Sequence, residues 1–283
     1  MARLRYDPGV KKSGVAMRGW RIGLLGFGAI GRDVLSQLGA RHTDAQFVVL
    51  RRNGEPIDAP NTRQVRSIEA LVATRPDVVI EAAGQQALEA SVPILLKSGL
   101  SVIAASVGSL VQSDDRGVLG DVLQAMAAPG ARLVIPAGAI GGLDYIGAVA
   151  LLPDLRIAYT SRKPPDAWAD ELAARGLEPA SLQAELVLFE GSVSEAAARY
   201  PRNLNVAATL ALAAGRSDVV SVRVVVDPAA RGNTHEVACE SSAGSARFEF
   251  VNAPAPANPK TSMVTALSLV HCVEQYLAGM RRD

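Results

Sequence analysis

Cysteine is almost missing from this chain of 283 residues: only Cys239 and Cys272 occur, far apart. That excludes the disulfide framework of a small secreted scaffold and suits reduced thiols in a cytosolic protein. No closely spaced cysteines and histidines offer a zinc site, so no metal is expected. An excess of one charge is missing too. The 29 Lys and Arg residues face 28 Asp and Glu, which removes the basic footprint of a nucleic-acid binder. No apolar run reaches the length of a membrane span, and the opening "MARLRYDPGVKKSG" lacks the apolar core of a signal peptide. The expectation is a soluble, cytoplasmic protein that binds neither nucleic acid nor a membrane, with residues 1–20 as a flexible tail.

What is present is apolar residue in quantity, 49% of the chain, enough for one large or two medium domains with real cores. The first half alternates strand and helix patterns. "RIGLLGFG" (21–28), "AQFVVLRR" (45–52), "DVVIEAAG" (77–84), "LSVIAAS" and "RLVIPAG" read as short strands buried on both faces. Between them lie helical patterns, such as Ile30, Val34, Leu35 and Leu38 closed by Gly39, and "SIEALVATRP" closed by Pro76. Such alternation predicts an α/β fold, a Rossmann-type doubly wound parallel sheet over 21–138.

Within that pattern "LLGFGAIGRDVL" joins the first strand to the first helix. Gly26 permits the tight turn, Gly28 lets backbone approach a phosphate, and Gly31 lets the helix pack on the strand. Ala29 and Ile30 complete the first helical turn, whose N–H groups face an anion. The spacing predicts a grip on a dinucleotide; a glycine turn without a ligand is the plainer alternative. Arg51 and Arg52 stand at the end of the second strand, where a carboxylate would bind the ribose of NAD. Arginine suits a 2′-phosphate, so the cofactor is NADP or NAD. A solvated strand end is the other reading of these two residues.

The second half loses the alternation and predicts an α+β domain over 139–261. "LRIAYTSRKP", "AELVLFEGS" and "DVVSVRVVVDP" read as strands, and "THEVACESSAGSARFEFVN" as a hairpin around Ala243-Gly244. A last helix, begun by Thr261 or Ser262, is expected to pack back on the first domain over 262–283. The run "VVSVRVVVD" carries more apolar surface than one small domain covers, which points to a homodimer. Asn203 and Asn205 open an apolar helix as caps or as ligand contacts. His235 opens a strand and is able to exchange a proton near neutral pH, although a lone histidine also serves structure alone. Arg162, Lys163, Lys260, Thr261 and Ser262 are candidate binders of a carboxylate; capping and solvent exposure are their plainer roles.

The motifs "GFGAIG", "IPAGAIGGLD", "YPRNLNVAATLALA", "NTHEV" and "NPKTS", in this order, resemble the L-aspartate dehydrogenase family. The resemblance runs from Arg21 to Met280. It implies NAD(P)-dependent interconversion of L-aspartate with iminoaspartate, which hydrolyses to oxaloacetate and ammonia and also feeds NAD biosynthesis. It implies a homodimer built through the second domain. It places the catalytic histidine on His235 and cofactor contacts on Ala139 and Asn205. A lysine base at Lys163 is the competing mechanism. Two other readings stay open: an oxidoreductase of a homoserine- or dihydrodipicolinate-type substrate, and a non-catalytic NADP sensor.

Overall fold

A computed structural model describes residues 19–111, 117–126, 130–200 and 205–280. Most of the expected tail, residues 1–18, lies outside these, as does Asn203. The first sheet takes β1 (Arg21–Leu25), β2 (Gln46–Leu50), β3 (Thr62–Val65), β4 (Val78–Glu81), β5 (Val102–Ala104) and β6 (Leu133–Val134). Their order is β3-β2-β1-β4-β5-β6 and every pairing is parallel. Helices α1 (Ala29–Arg41), α2 (Ile68–Ala73), α3 (Gln85–Lys97) and α4 (Gly117–Ala125) supply the crossovers. The strand order reverses between β1 and β4, so a ligand crevice opens where their carboxyl ends diverge. This is the Rossmann-type architecture that the alternation predicted.

Strand β3 escaped the sequence reading. "TRQV" offers one buried residue, Val65, too little for a pattern. It is held by its parallel register with β2, from Phe47↔Thr62 to Leu50↔Val65.

Helix α5 (Leu143–Val149) begins the second half and leads into β7 (Arg156–Lys163). After α6 (Ala169–Ala173) come β8 (Leu186–Ser192), α7 (Val193–Arg199) and α8 (Asn205–Ala214). Strands β9 (Val220–Val226), β10 (Asn233–Ser241) and β11 (Gly244–Asn252) complete a mixed sheet ordered β11-β10-β7-β9-β8. The β10–β11 hairpin closes at Ser241↔Gly244, as its alternation required. One face of this sheet packs on α5, α7 and α8 around Ile157, Tyr159, Ile146, Val193 and Leu210. The valines of β9 are all buried within the chain. Val220, Val222, Val224 and Val226 belong to the core beneath this sheet.

The "APAPANPKTS" stretch corrects an expectation. It folds as a small antiparallel pair, β12 (Pro254–Ala255) with β13 (Asn258–Ser262), and the final helix α9 starts later, at Val264, and runs to Met280. Thr261 and Ser262 therefore end a strand. The two-residue turn at Pro256-Ala257 reverses the chain where a proline-rich composition suggested only a break. Leu269, Val270, Val273 and Leu277 of α9 pack with Ile22 and Leu24 of β1 and Val34 and Leu38 of α1. The chain thus ends against the same layer that carries the glycine turn. Among the described residues no helix is long and apolar enough to cross a membrane.

Candidate active site

The glycine turn has the geometry its sequence requires. Gly26 sits at φ +94°, and a Cβ there would stand 2.7 Å from Ala83. At Gly31 a Cβ would meet the Gly26 carbonyl oxygen at 2.7 Å. Gly28 is different: it caps α1 without any side-chain bond, and a Cβ would touch nothing within 4 Å. Open space therefore faces the N–H groups of the first turn, at Ala29, Ile30 and Gly31, which suits a pyrophosphate. Gly84, capping α3 at φ +112°, leaves the same kind of space across the crevice.

At the far end of β2, Arg51 folds over its own turn and donates from Nη1 to the Glu55 carbonyl at 3.0 Å. Arg52 is exposed, and its carbonyl accepts from Arg66 Nη1 at 2.9 Å. Arg66 is a third guanidinium in this corner, brought there by the unforeseen strand β3.

Between the two glycine ends lies a residue the sequence reading passed over. Glu81 closes β4 fully buried and accepts N–H bonds from Ala83, Gly84 and Ser106 at 2.8, 3.0 and 2.9 Å. Burial pushes its carboxyl above the ordinary range, against the pull of those donors. Its signal was visible in "VVIEAAG": one acid ending an otherwise apolar strand. It staples the loops after β4 and β5. Asn205, at the start of α8, extends the staple by accepting the Gly108 N–H at 3.1 Å. Ala139 is buried in the junction loop, where its carbonyl accepts from Asn252 Nδ2 at 2.8 Å. Gly138 N–H donates to Ser268 of α9 at 2.9 Å. These bonds join the second sheet, α9 and the first domain at one end of β10.

His235 lies at that end, paired with Ser161 on β7 and Phe250 on β11. Along a strand, faces alternate with every residue. Tyr159, Ser161 and Lys163 therefore share the packed face of the sheet with His235, and Arg162 points the other way. His235 is 4% exposed, and its Nδ1 lies 2.8 Å from the Tyr159 hydroxyl. Burial first, and the Lys163 charge second, lower its pKa from 6.5 to about 3, so the ring is neutral. Lys163 is itself 3% exposed, with Nζ 5.3 Å from the centre of the Trp168 ring.

Arg162 is thus withdrawn from the carboxylate binders. It bonds to Glu236 at 2.9 Å, Glu185 at 2.5 Å and Asp227 at 3.3 Å on the opposite face. Adjacent residues of one strand point to opposite faces, which separates Arg162 from Lys163. Thr261 and Ser262 line a cavity of about 430 Å³ with Ala29, Ile30 and Met263. Neither His235 nor Lys163 belongs to its lining. The Thr261 hydroxyl also accepts from Asn258 Nδ2 at 3.0 Å. Lys260 belongs to β13 by its backbone, and its side chain lies outside the described residues. Among the described residues no cluster of His, Cys, Asp and Glu is placed to hold a metal ion.

Residues 144–276 match the family described as aspartate dehydrogenase, C-terminal, and residues 26–136 the homoserine dehydrogenase NAD-binding domain. L-aspartate dehydrogenase 2 of Bordetella bronchiseptica is 44% identical over 262 residues, 91% of this chain and 97% of that protein. The chain belongs to the L-aspartate dehydrogenase family. The family's Methanopyrus kandleri member is 35% identical over 94% of this chain and 99% of its own length. Aspartate dehydrogenase from Thermotoga maritima superposes with a TM-score of 0.71 at 25% identity, covering 92% of this chain and 96% of that structure. An archaeal homoserine dehydrogenase in complex with NADPH, at 11% identity and a TM-score of 0.55, shares the fold.

The depressed pKa of His235 has a consequence for stability. In the unfolded chain the ring takes a proton below 6.5, whereas the folded ring resists until about 3. Stability present above 6.5 is therefore lost as pH falls, at up to about 1.4 kcal/mol per pH unit. Urea unfolding of the wild type is expected to lose stability more steeply below pH 6.5 than that of His235→Asn. Equal slopes would mean that folded His235 takes up its proton normally.

Proposed function

We propose that the chain catalyses NAD(P)-dependent oxidative deamination of L-aspartate to iminoaspartate, which water converts to oxaloacetate and ammonia, with His235 as the base. The observation that carries this reading is a neutral, buried imidazole beside a buried lysine on one sheet face, at the end where both domains are joined. When bound, the nicotinamide accepts the Cα hydride of the substrate. The glycine turn and the first turn of α1 would hold the pyrophosphate of the dinucleotide, with Asn205 and Ala139 at the junction.

His235 takes the proton of the substrate ammonium and frees the amine lone pair that forms the C=N bond as the hydride leaves. Once that proton has passed on to solvent, the same ring takes a proton from the water that adds to the imine carbon. Lys163 supplies the positive charge for a substrate carboxylate. A substrate with two carboxylates also offsets the field that keeps His235 from accepting a proton. Homoserine carries one carboxylate, so it relieves that field less. A non-catalytic NADP sensor has no use for a base and a lysine on one face. The protein acts in the cytoplasm, and its iminoaspartate is suited to NAD biosynthesis.

The second domain also carries the proposed homodimer contact. Val187 and Val251, 36% and 59% exposed, lie on the outer strands of its sheet. Light scattering at micromolar concentration is expected to give a dimer mass; a monomer mass refutes the contact.

Absorbance at the reduced-nicotinamide band is expected to rise with L-aspartate and to stay flat with homoserine. His235→Ala is expected to lower kcat by about 100- to 10,000-fold with NADPH affinity nearly unchanged. A loss of only a few-fold returns the base role to Lys163 or to water. For the cofactor, Arg51→Ala with Arg52→Ala is expected to weaken NADP more than NAD, by about 1.5–3 kcal/mol for lost charge-assisted bonds. Equal weakening in a fluorescence titration removes both arginines from the 2′-phosphate.

A further inference from the structure

We propose that Tyr159 is a positioning residue for this reaction: its hydroxyl accepts the Nδ1–H of His235 and holds the ring in the tautomer whose Nε2 lone pair is open to the substrate. The inference rests on the reading of His235 as the base.

The contact is built into the sheet. Ser161 stands opposite His235 in the β7–β10 register, and Tyr159 is two residues back on the same face. The phenol and imidazole rings lie nearly parallel, 16° apart, with centres separated by 6.0 Å. Both side chains are buried, and Nδ1 and the hydroxyl are 2.8 Å apart. Nε2, by contrast, has no hydrogen-bond partner among the described residues, and the residue keeps 4% of its surface exposed.

A neutral imidazole has one proton for two nitrogens. If Tyr159 donated to Nδ1, the ring proton would sit on Nε2, and the open nitrogen would have no lone pair to offer. The base role therefore requires the other direction, with Nδ1–H donating to Tyr159 Oη. The phenol proton then needs an acceptor of its own. Ser161 lies beside the phenol, and its Oγ is buried without a hydrogen bond of ordinary geometry. A turn of the Ser161 side chain about χ1 would bring its Oγ into line to accept that proton.

Tyr159 suits this post because burial pushes its phenol well above the ordinary range, so it stays neutral wherever the enzyme works. As His235 gains a proton at Nε2, its Nδ1–H becomes a charged donor and the bond to Oη strengthens. That gain opposes the repulsion from Lys163, the charged group on the same face whose field reaches the ring. Glu236 and Asp227 are held by Arg162 across the sheet. Phe250, opposite on β11, carries no charge.

Nitrogen-15 NMR of histidine-labelled protein tests the tautomer without any turnover. The chain has three histidines, and the His235 signals are those missing from His235→Asn. The wild type is expected to show the proton on Nδ1 and a bare Nε2; Tyr159→Phe is expected to move it toward Nε2. In the same variant kcat is expected to fall about 10- to 100-fold, as when the partner of an oriented histidine is removed. KM for L-aspartate and Kd for NADPH are expected to stay within a few-fold. The acid limb of kcat is expected to move to lower pH, because the protonated ring has lost its supporting bond. A proton on Nε2 in the wild type overturns the proposal, even if Tyr159→Phe does not fold. An unchanged kcat and acid limb in a folded Tyr159→Phe overturn it as well. If His235→Asn itself turns over L-aspartate, the base assignment has failed, a separate outcome.

Discussion

A slip of one residue between β7 and β10 would carry His235 to the wrong side of its sheet. The register Thr234↔Arg162, His235↔Ser161, Glu236↔Thr160 is therefore the constraint on which the site depends. In this register His235, Tyr159 and Lys163 share the packed face, and Arg162 shares the other with Glu236. Each face resists the slip. Moving Tyr159 and Ile157 out would expose core surface, and moving Arg162 in would bury a guanidinium away from three carboxylates. Arg162 serves the site by locking the strand pairing that aims its neighbours.

The first domain solves a different problem, that of leaving backbone donors free without letting their loops wander. Unpaired N–H groups at a helix start attract anions, but a loop that must stay open has few contacts to hold it. Glu81 supplies them from beneath. Three N–H bonds from two loops converge on one carboxylate that no solvent reaches. Each such bond to a charged acceptor is worth about 1.5–3 kcal/mol, set against the cost of burying the acid. Asn205 adds a tie from the second domain through Gly108. The crevice is thus braced both by its own sheet and by the neighbouring domain.

Much of this was legible in the sequence, and the parts that were not have particular causes. The parallel sheet showed itself because strands buried on both faces are apolar runs, and the crossover helices have a clear period. β3 has one buried residue and is defined by its neighbour, not by its own pattern. The β12–β13 pair was hidden by prolines that stand at the ends and turn of a two-strand ribbon. At the site, His235 stood out as one of three histidines, opening an apolar strand. Arg162 and Lys163 looked equivalent because they are adjacent, yet strand parity separates them. Tyr159 was invisible: an aromatic residue in a strand reads as core, and only the pairing of β7 with β10 brings its hydroxyl to a histidine.

A pKa near 3 looks ill suited to a base until the charge of the substrate is included. The ring stays neutral in the free protein because it is desolvated and faces a lysine. Both effects would oppose proton uptake during turnover if they persisted. L-aspartate brings two carboxylates, and one placed against Lys163 cancels the field that held the proton off. An imidazole protonated in the absence of substrate would have no lone pair to offer; one held neutral until two carboxylates arrive is ready when it is needed. The same reasoning favours a second carboxylate on the substrate, since a substrate with only one leaves more of the Lys163 field in place. With His235 as the proposed base and Lys163 as the proposed carboxylate partner, specificity and proton transfer share one origin, the burial of a lysine and a histidine on the same face of one sheet.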